Sequence, residues 1–178
     1  HFLEMLAIRT RQKLLFEQTD FCRDLDSLKC RLDQMDESSI FEKNIAEIKS
    51  HYAGNEVTFS AFQADFTPWN MFEENGNLFV FDWEYARLTY PPHLDYYHFK
   101  IQTAFFEKHL NVDEIYKGFQ AERDKLNGLY GNYEFSLKCY LLSVISLYIN
   151  REKGVISNNT HTRLASWLKL LKKLDNFK

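Results

Sequence analysis

The sequence predicts an α+β fold that is mainly helical, with a small central β-hairpin. In most of the chain, apolar residues recur three and four positions apart, which is typical of helices with one buried face. One β-prone run, at residues 57–62, is followed by two short apolar segments separated by Asn75-Gly76, a strong hairpin signal. With 178 residues, 45% of them apolar, the chain can form one domain (1–178) with a substantial core.

The first third of the chain, residues 1–52, is predicted to be a helical segment. The spacing indicates helices over 2–16, 21–35 and 40–51, and the polar residues 36–39 end the second of them. The second helix has the clearest apolar stripe, formed by Phe21, Leu25, Leu28, Leu32 and Met35. We expect this stripe to pack within the domain rather than against a partner helix.

The middle of the chain, residues 57–90, is predicted to hold a strand, a loop and the hairpin. The strand at 57–62 leads into a loop in which Pro68 disfavours helix at Thr67. The hairpin strands are Met71-Phe72 and residues 78–81. Such a hairpin folds the chain back on itself, so that residues on either side of it can converge on one ion.

After a turn at Pro91-Pro92, residues 93–178 are predicted to form a helical subdomain. The pattern indicates helices over 93–110, 112–130, 133–150 and 160–174. Residues 139–149 form the most apolar run and contain no charge. This run is too short to span a bilayer and indicates a buried core helix, so we expect no membrane span.

Composition narrows the class of protein. A net charge of −3 gives no reason to expect nucleic acid as a partner. The three cysteines, Cys22, Cys30 and Cys139, have no metal-type spacing and fit free thiols in a reducing compartment, so we expect a cytoplasmic protein. His93 and His98 are five positions apart, which is not the spacing of a helical ligand pair, and we predict no zinc site.

Three residues carry the chemistry that the sequence predicts. Asp65 is followed five positions later by Asn70, and Asp82 comes directly after a short apolar strand. In kinase-type phosphoryl transfer, such an Asp orients a substrate hydroxyl and accepts its proton, while an Asn and a second Asp hold Mg²⁺ against the phosphates of ATP. Each residue alone has an ordinary structural interpretation, as a turn cap, a loop brace or a strand end. Their combined spacing favours a catalytic site.

These residues lie in a stretch that resembles a known family. Residues 64–70 read ADFTPWN and residues 81–84 read FDWE, which resemble the Brenner motif and metal-binding loop of the aminoglycoside phosphotransferase and choline kinase family. The resemblance covers about residues 59–95. It implies the carboxy-terminal lobe of a protein-kinase-like fold, with the hairpin carrying the catalytic and metal loops, and with Mg²⁺ and ATP as cofactor and co-substrate.

The resemblance also assigns residues. It implies that Asp65 is catalytic, that Asn70 and Asp82 bind the metal, and that Asp95 is mostly structural. Glu84 has two interpretations. It is either a carboxylate that supports the metal ligands without binding the metal itself, or an exposed loop acid.

The chain departs from the family at the catalytic loop, where it reads Gln63-Ala64 in place of His-Gly. The Gln63 amide has donors and an acceptor with which it can replace part of the hydrogen bonding of the histidine. Ala64 adopts a positive φ less readily than glycine does.

A second departure concerns the nucleotide lobe. None of the six glycines belongs to a phosphate-binding glycine pattern. We therefore expect the amino-terminal nucleotide-binding lobe to be a part of the same polypeptide that this sequence does not contain, and this lobe alone to be inactive.

The leading hypothesis is an ATP-dependent phosphotransferase that acts on a hydroxyl of a small aminoglycoside-, choline- or sugar-like molecule. The alternative is a degenerate kinase-like binding or scaffold protein without transfer activity, which the Gln63-Ala64 departure motivates. A third interpretation is an all-helical interaction module with chance motif matches. It predicts that the side chains of Asn70 and Asp82 point apart.

Overall fold

The structure is a computed structural model that describes residues 1–35, 37–152 and 157–175. It is α+β and mainly helical, as predicted. The first half of the chain forms, in order, α1 (Phe2–Thr10), β1 (Gln12–Leu15), a 3-10 turn (Phe16–Gln18), α2 (Asp20–Lys29), a 3-10 turn (Leu32–Gln34), α3 (Ser38–Tyr52) and β2 (Glu56–Phe62).

The second half begins at the predicted hairpin. It forms a 3-10 turn (Pro68–Asn70), β3 (Met71–Glu74), β4 (Asn77–Val80), β5 (Arg87–Tyr90), α4 (Leu94–Phe106), α5 (Val112–Ala121), α6 (Arg123–Tyr130), α7 (Tyr133–Arg151) and α8 (Asn158–Asp175). The hairpin β3–β4 is confirmed, and both turn residues, Asn75 and Gly76, have positive φ, as this type of tight turn requires.

A second sheet was not predicted. It has three antiparallel strands in the order β1-β2-β5, and β2 lies in the centre. Gln12 pairs with Phe59 on one side of β2, and Ser60 pairs with Tyr90 on the other. The central strand ends at Phe62 and delivers the chain directly to the loop that holds Asp65.

The prediction of an unbroken helix over 2–16 was therefore wrong, because residues 12–15 form β1. The local sequence has good helix formers there, but pairing with β2 supplies backbone partners that override local propensity. The predicted helix over 21–35 is also too long, since α2 ends at Lys29 and a separate 3-10 turn follows. Residues 1–52 are thus not a purely helical segment, and the predicted role of residue 36 lies outside the described residues.

The predicted single helix over 112–130 is two helices. The break falls at Glu122, whose backbone (φ −95°, ψ 7°) leaves the α-helical region. The carboxylate of Glu122 accepts hydrogen bonds from Lys100 (2.9 Å) and from the Tyr96 hydroxyl (3.1 Å). These contacts hold the junction of α5 and α6 against α4.

The core is built around α7, which packs against α2, α4 and α8. The prediction of a buried helix here is confirmed, since Cys139, Tyr140, Leu141 and Leu142 are fully buried. Among the described residues, no helix combines the length and the apolar character needed to cross a bilayer. The packing of α4 on α7 places the first turns of α4 beneath the Asp65 loop.

Candidate functional site

Asp95, in the first turn of α4, fixes the backbone that follows β2. Its two carboxylate oxygens accept hydrogen bonds from the backbone N–H groups of Gln63 (2.9 Å) and Ala64 (3.0 Å). Asp95 is buried, and this burial raises its pKa to about 6, although the two backbone hydrogen bonds act in the opposite direction. The structure thus places Asp95 as a brace of the loop, the position that the sequence predicted for it.

The loop backbone is strained at Ala64. Ala64 has φ 73°, in the left-handed region, and its side chain is buried. A non-glycine residue in this region costs about 1 kcal/mol and persists where the surroundings hold it. The hydrogen bond from Ala64 N–H to Asp95 supplies such a constraint.

Gln63 connects the two loops of the site. Its side chain is fully buried, and its Nε2 donates to the backbone carbonyls of Asp82 (2.7 Å) and Phe81 (3.2 Å). Its Oε1 accepts from the backbone N–H of Asp65 (2.9 Å). One amide therefore sets the position of Asp65 relative to Asp82.

Asn70 lies against Asp65. Its Nδ2 donates to Asp65 Oδ2 (2.7 Å) and to the Asp65 carbonyl (3.1 Å). Within the described ranges, Asn70 Oδ1 receives no hydrogen bond, which leaves it as an oxygen that a cation can use. Asn70 is buried, whereas the Asp65 side chain is 32% exposed. The arrangement orients one oxygen of Asp65 and leaves part of the carboxylate open to a ligand.

Asp82 is brought to the same end of the hairpin as Asn70. The backbone N–H of Phe81 donates to the carbonyl of Asn70 (3.1 Å), and Asp82 follows directly. Asp82 is exposed and has φ 59°. In the part of the chain that the structure describes, no three His, Cys, Asp or Glu side chains are grouped to hold a metal ion. Mg²⁺ keeps several of its waters and binds phosphate oxygens, so it needs few protein ligands.

Glu84 is exposed on the same loop and forms a hydrogen bond with the Tyr85 hydroxyl, which raises the pKa of that tyrosine. The structure thus places Glu84 with Tyr85 and shows no contact between it and Asp65 or Asn70.

His98 is the residue that the sequence analysis missed. It lies on α4, three residues after Asp95, and is 2% exposed. Its Nε2 has no hydrogen-bond partner among the described residues and lies 3.4 Å from Asp65 Oδ1, while its Nδ1 lies 3.4 Å from the Tyr140 hydroxyl. From its sequence position, His98 is a candidate only for a metal ligand, and its spacing from His93 argues against that role. The signal that would have identified it is its i+3 spacing from Asp95, which places both on one face of α4.

The stretch of sequence that holds Asp65, Asn70 and Asp82 is acidic. Between Lys49 and Arg87 the chain contains no lysine or arginine. The acidic residues of this stretch are Glu56, Asp65, Glu73, Glu74, Asp82 and Glu84. Carboxylates that are not balanced by nearby basic residues of the same stretch favour a bound cation.

Comparison of the chain with protein-family models, with curated proteins and with solved structures finds no match. No relative therefore identifies a reaction or a substrate. The functional argument depends on the geometry around Asp65 and on the charges that surround it.

Proposed function

We propose that this chain is the carboxy-terminal lobe of an ATP-dependent phosphotransferase that acts on a hydroxyl of a small molecule. The observation that carries this proposal is the hydrogen-bond network of Gln63 and Asn70. It joins the loop of Asp65 to the loop of Asp82 and orients the Asp65 carboxylate. Phosphoryl transfer depends on positioning and electrostatics, and this network supplies the positioning.

Asp65 is the residue that would receive the acceptor. Its Oδ2 is held by Asn70, but each carboxylate oxygen can accept more than one hydrogen bond. The exposed part of the carboxylate leaves space for a substrate hydroxyl, whose proton Asp65 accepts as the hydroxyl attacks the γ-phosphate. His98, behind Oδ1, limits the rotation of the carboxylate and so positions it.

Asn70 Oδ1 and the Asp82 carboxylate would hold Mg²⁺. When bound, the ion offsets the charge that develops on the β- and γ-phosphates. The chain itself contributes a rigid presentation of the two ligands, because the hairpin ladder fixes Asn70 beside Phe81. The surrounding carboxylates add to the attraction for the cation.

The hairpin also presents an apolar face. Its large exposed side chains are Trp69, Phe72, Leu78, Phe79, Phe81 and Trp83. The rings of Phe72 and Phe79 are stacked, with centroids 4.9 Å apart. Phe72 contacts both Phe79 and Phe81 on one face of the hairpin, and an exposed apolar group of this kind marks a contact surface. In the proposed enzyme this face would contact the nucleotide-binding lobe.

The second candidate is a kinase-like binding protein without transfer activity. Ala64 favours it, because the strained backbone replaces the unstrained glycine of active family members. This candidate differs from the first in one measurable property, since it retains the fold but does not transfer a phosphoryl group.

The test is made on the longest form of the polypeptide. We expect calorimetric titration with Mg-ATP to show saturable binding that Asp82→Ala abolishes. In a screen of hydroxylated acceptors, Asp65→Asn should lower the transfer rate about hundredfold to ten-thousandfold, the usual contribution of a general base. Glu84→Gln, which removes an exposed carboxylate from the same region, is the matched control and should retain activity.

Two results would contradict the proposal. One is undiminished transfer by Asp65→Asn. The other is the absence of Mg-ATP binding in a folded sample of the longest form, which would favour the binding protein without activity.

A further inference from the structure

Two arginines beside the candidate site have no acidic partner in the part of the chain that the structure describes. Arg151, at the end of α7, and Arg163, on α8, both lie against the ring of Tyr148, with guanidinium carbons 5.6 Å and 5.4 Å from its centroid. Arg163 also donates to the Tyr148 hydroxyl (2.7 Å). Among the described residues, neither guanidinium forms a salt bridge, whereas Arg23 and Arg87 each pair with an aspartate.

The arginine pair lies next to both loops of the candidate site. The guanidinium of Arg151 is 4.1 Å from the ring of Tyr85, three residues after Asp82. The guanidinium of Arg163 is 5.5 Å from the ring of Phe106, which makes an edge contact of 5.9 Å with Trp69, the neighbour of Asn70. Tyr85, in the loop after Asp82, therefore lies against Arg151. Phe106, which contacts Trp69 beside Asn70, lies against Arg163.

Two cavities meet at Arg163. One, of about 230 Å³, lies between α4 and α8 and includes Gln102, one turn of α4 beyond His98. The other, of about 400 Å³, includes both arginines, Tyr148 and Thr160. Together they offer space at the two arginines for the anionic end of a small molecule.

We propose that Arg151 and Arg163 bind an anionic group of the acceptor, a phosphate or a carboxylate, while its hydroxyl lies at Asp65. This inference rests on the proposed function and specifies its substrate class as a hydroxylated anion. A guanidinium presents a planar set of N–H donors that matches phosphate and carboxylate oxygens, and stacking on rings holds it in place before the ligand arrives.

The local charges agree with this assignment. Of the nearby carboxylates, Glu84 is hydrogen-bonded to the Tyr85 hydroxyl, and Glu152 accepts from Ser157 (2.7 Å) and Thr160 (2.6 Å). Asp82 also lies close enough to Tyr85 to raise the pKa of that tyrosine. Among the described residues, none of these carboxylates forms a salt bridge with either arginine. A positively charged acceptor, such as an aminoglycoside or a choline-like amine, would be repelled at this position. Of the acceptors that the sequence predicted, the sugar-like class remains.

The experiment measures binding to the full chain without ATP, so that it does not depend on transfer. Amide chemical shifts are followed during titration with glucose 6-phosphate, glucuronate, glucose and glucosamine, which share one ring and differ in charge. We expect both anions to bind, the tighter one identifying the preferred group. Arg151→Gln and Arg163→Gln should each weaken this binding about tenfold or more, as expected for a lost charge-assisted hydrogen bond.

Arg163→Lys keeps the charge but not the planar donor set, and should lose part of the affinity. Arg123→Gln is the matched control, since Arg123 is an exposed arginine in a different cavity and its removal should change nothing. The proposal is overturned if neither anion binds, if glucosamine binds as tightly as they do, or if the Arg151 and Arg163 variants behave like the control. Arginine-dependent anion binding without any phosphoryl transfer would instead refute the proposed function and leave the anion site in place.

Discussion

Two buried polar clusters of this protein differ in whether the buried nitrogen that faces a carboxylate has hydrogen-bond partners among the described residues. In the first, Lys138 Nζ contacts the carboxylates of Glu47 (2.9 Å) and Asp175 (2.8 Å). Asn44 Nδ2 donates to the second oxygen of Asp175 (3.0 Å). In the second cluster, the Nε2 of His98 is buried and lies 3.4 Å from Asp65 without a hydrogen bond among the described residues.

The difference gives the two clusters different expected effects on stability and on activity. The Lys138 cluster ties α7 to α3 and α8, and burial lowers the pKa of the lysine while its two carboxylate partners more than restore it. In the Asp65 cluster the Nε2 of His98 faces a carboxylate without a hydrogen bond among the described residues. An unpaired polar group in a buried place is costly, and under the proposed function this nitrogen would be used when the acceptor binds.

Among the substitutions predicted below, disruption of the Lys138 cluster should have the largest effect on stability. We expect Lys138→Met to lower the free energy of unfolding by about 3 kcal/mol, because it removes the buried cation that Glu47 and Asp175 share and leaves Asp175 with the more exposed Lys43 (3.1 Å). Chemical denaturation, followed by circular dichroism, measures the change. Lys169→Met is the control, since Lys169 pairs with Asp113 at an exposed position and its loss should cost less than about 1 kcal/mol. Equal effects of the two variants would show that the Lys138 cluster is not structural.

The next largest effect is expected at Gln63, which links the two loops. Gln63→Ala removes all three hydrogen bonds of the side chain and should destabilise the protein by about 2 kcal/mol. Transfer by the longest form should fall as well, because Asp65 and Asp82 lose their common brace. Gln120→Ala, which removes a single hydrogen bond to the Tyr116 hydroxyl, is the control. An active, fully stable Gln63→Ala variant would refute the bracing role.

The sequence was sufficient for the parts of the fold that depend on local patterns. The hairpin followed from Asn75-Gly76, the buried helix from the uncharged run at 139–149, and α3 from its apolar spacing. β1 and β5 could not be predicted in the same way, because both exist through pairing with β2. Residues 12–15 favour helix in isolation and become a strand only when β2 is beside them.

The site shows the same division between local and long-range information. Asp65, Asn70 and Asp82 stand out in the sequence because they lie close together along the chain. The sequence also indicated that Gln63 could replace a histidine. It did not reveal His98 or the arginine pair, because these groups approach the site through the packing of α4, α7 and α8. Sequence spacing identifies groups within one loop, whereas groups from other helices require the tertiary structure.

Asp95 gives a smaller, pH-dependent effect. Its folded-state pKa, about 6, lies above its ordinary value of 3.8, so protonation favours the folded state as the pH falls through 6 towards 3.8. Relative to Asp95→Asn, the wild type should gain about 1.4 kcal/mol of stability between about pH 7 and about pH 5. Denaturation of both proteins at the two pH values measures this difference. A difference that is constant with pH, or that shrinks on acidification, would contradict the raised pKa.

Substitution of His98 should have the smallest effect on stability. It is also the most direct test of the comparison between the Lys138 cluster and the Asp65 cluster. In His98→Leu an apolar side chain replaces an imidazole whose Nε2 has no hydrogen bond, so the free energy of unfolding should change by less than about 1 kcal/mol. If the imidazole positions Asp65, transfer should nevertheless fall about tenfold, through kcat and not KM.

His98→Gln distinguishes positioning from packing, because its amide can place a donor near Asp65 and should retain more activity than the leucine variant. A leucine variant that loses several kcal/mol of stability would assign His98 to the core. One that retains full activity would show that its proximity to Asp65 has no functional consequence. The combination of unchanged stability and lowered kcat is expected only if the unpaired nitrogen of His98 serves the reaction, unlike the nitrogen of Lys138, whose two carboxylate partners are part of the fold.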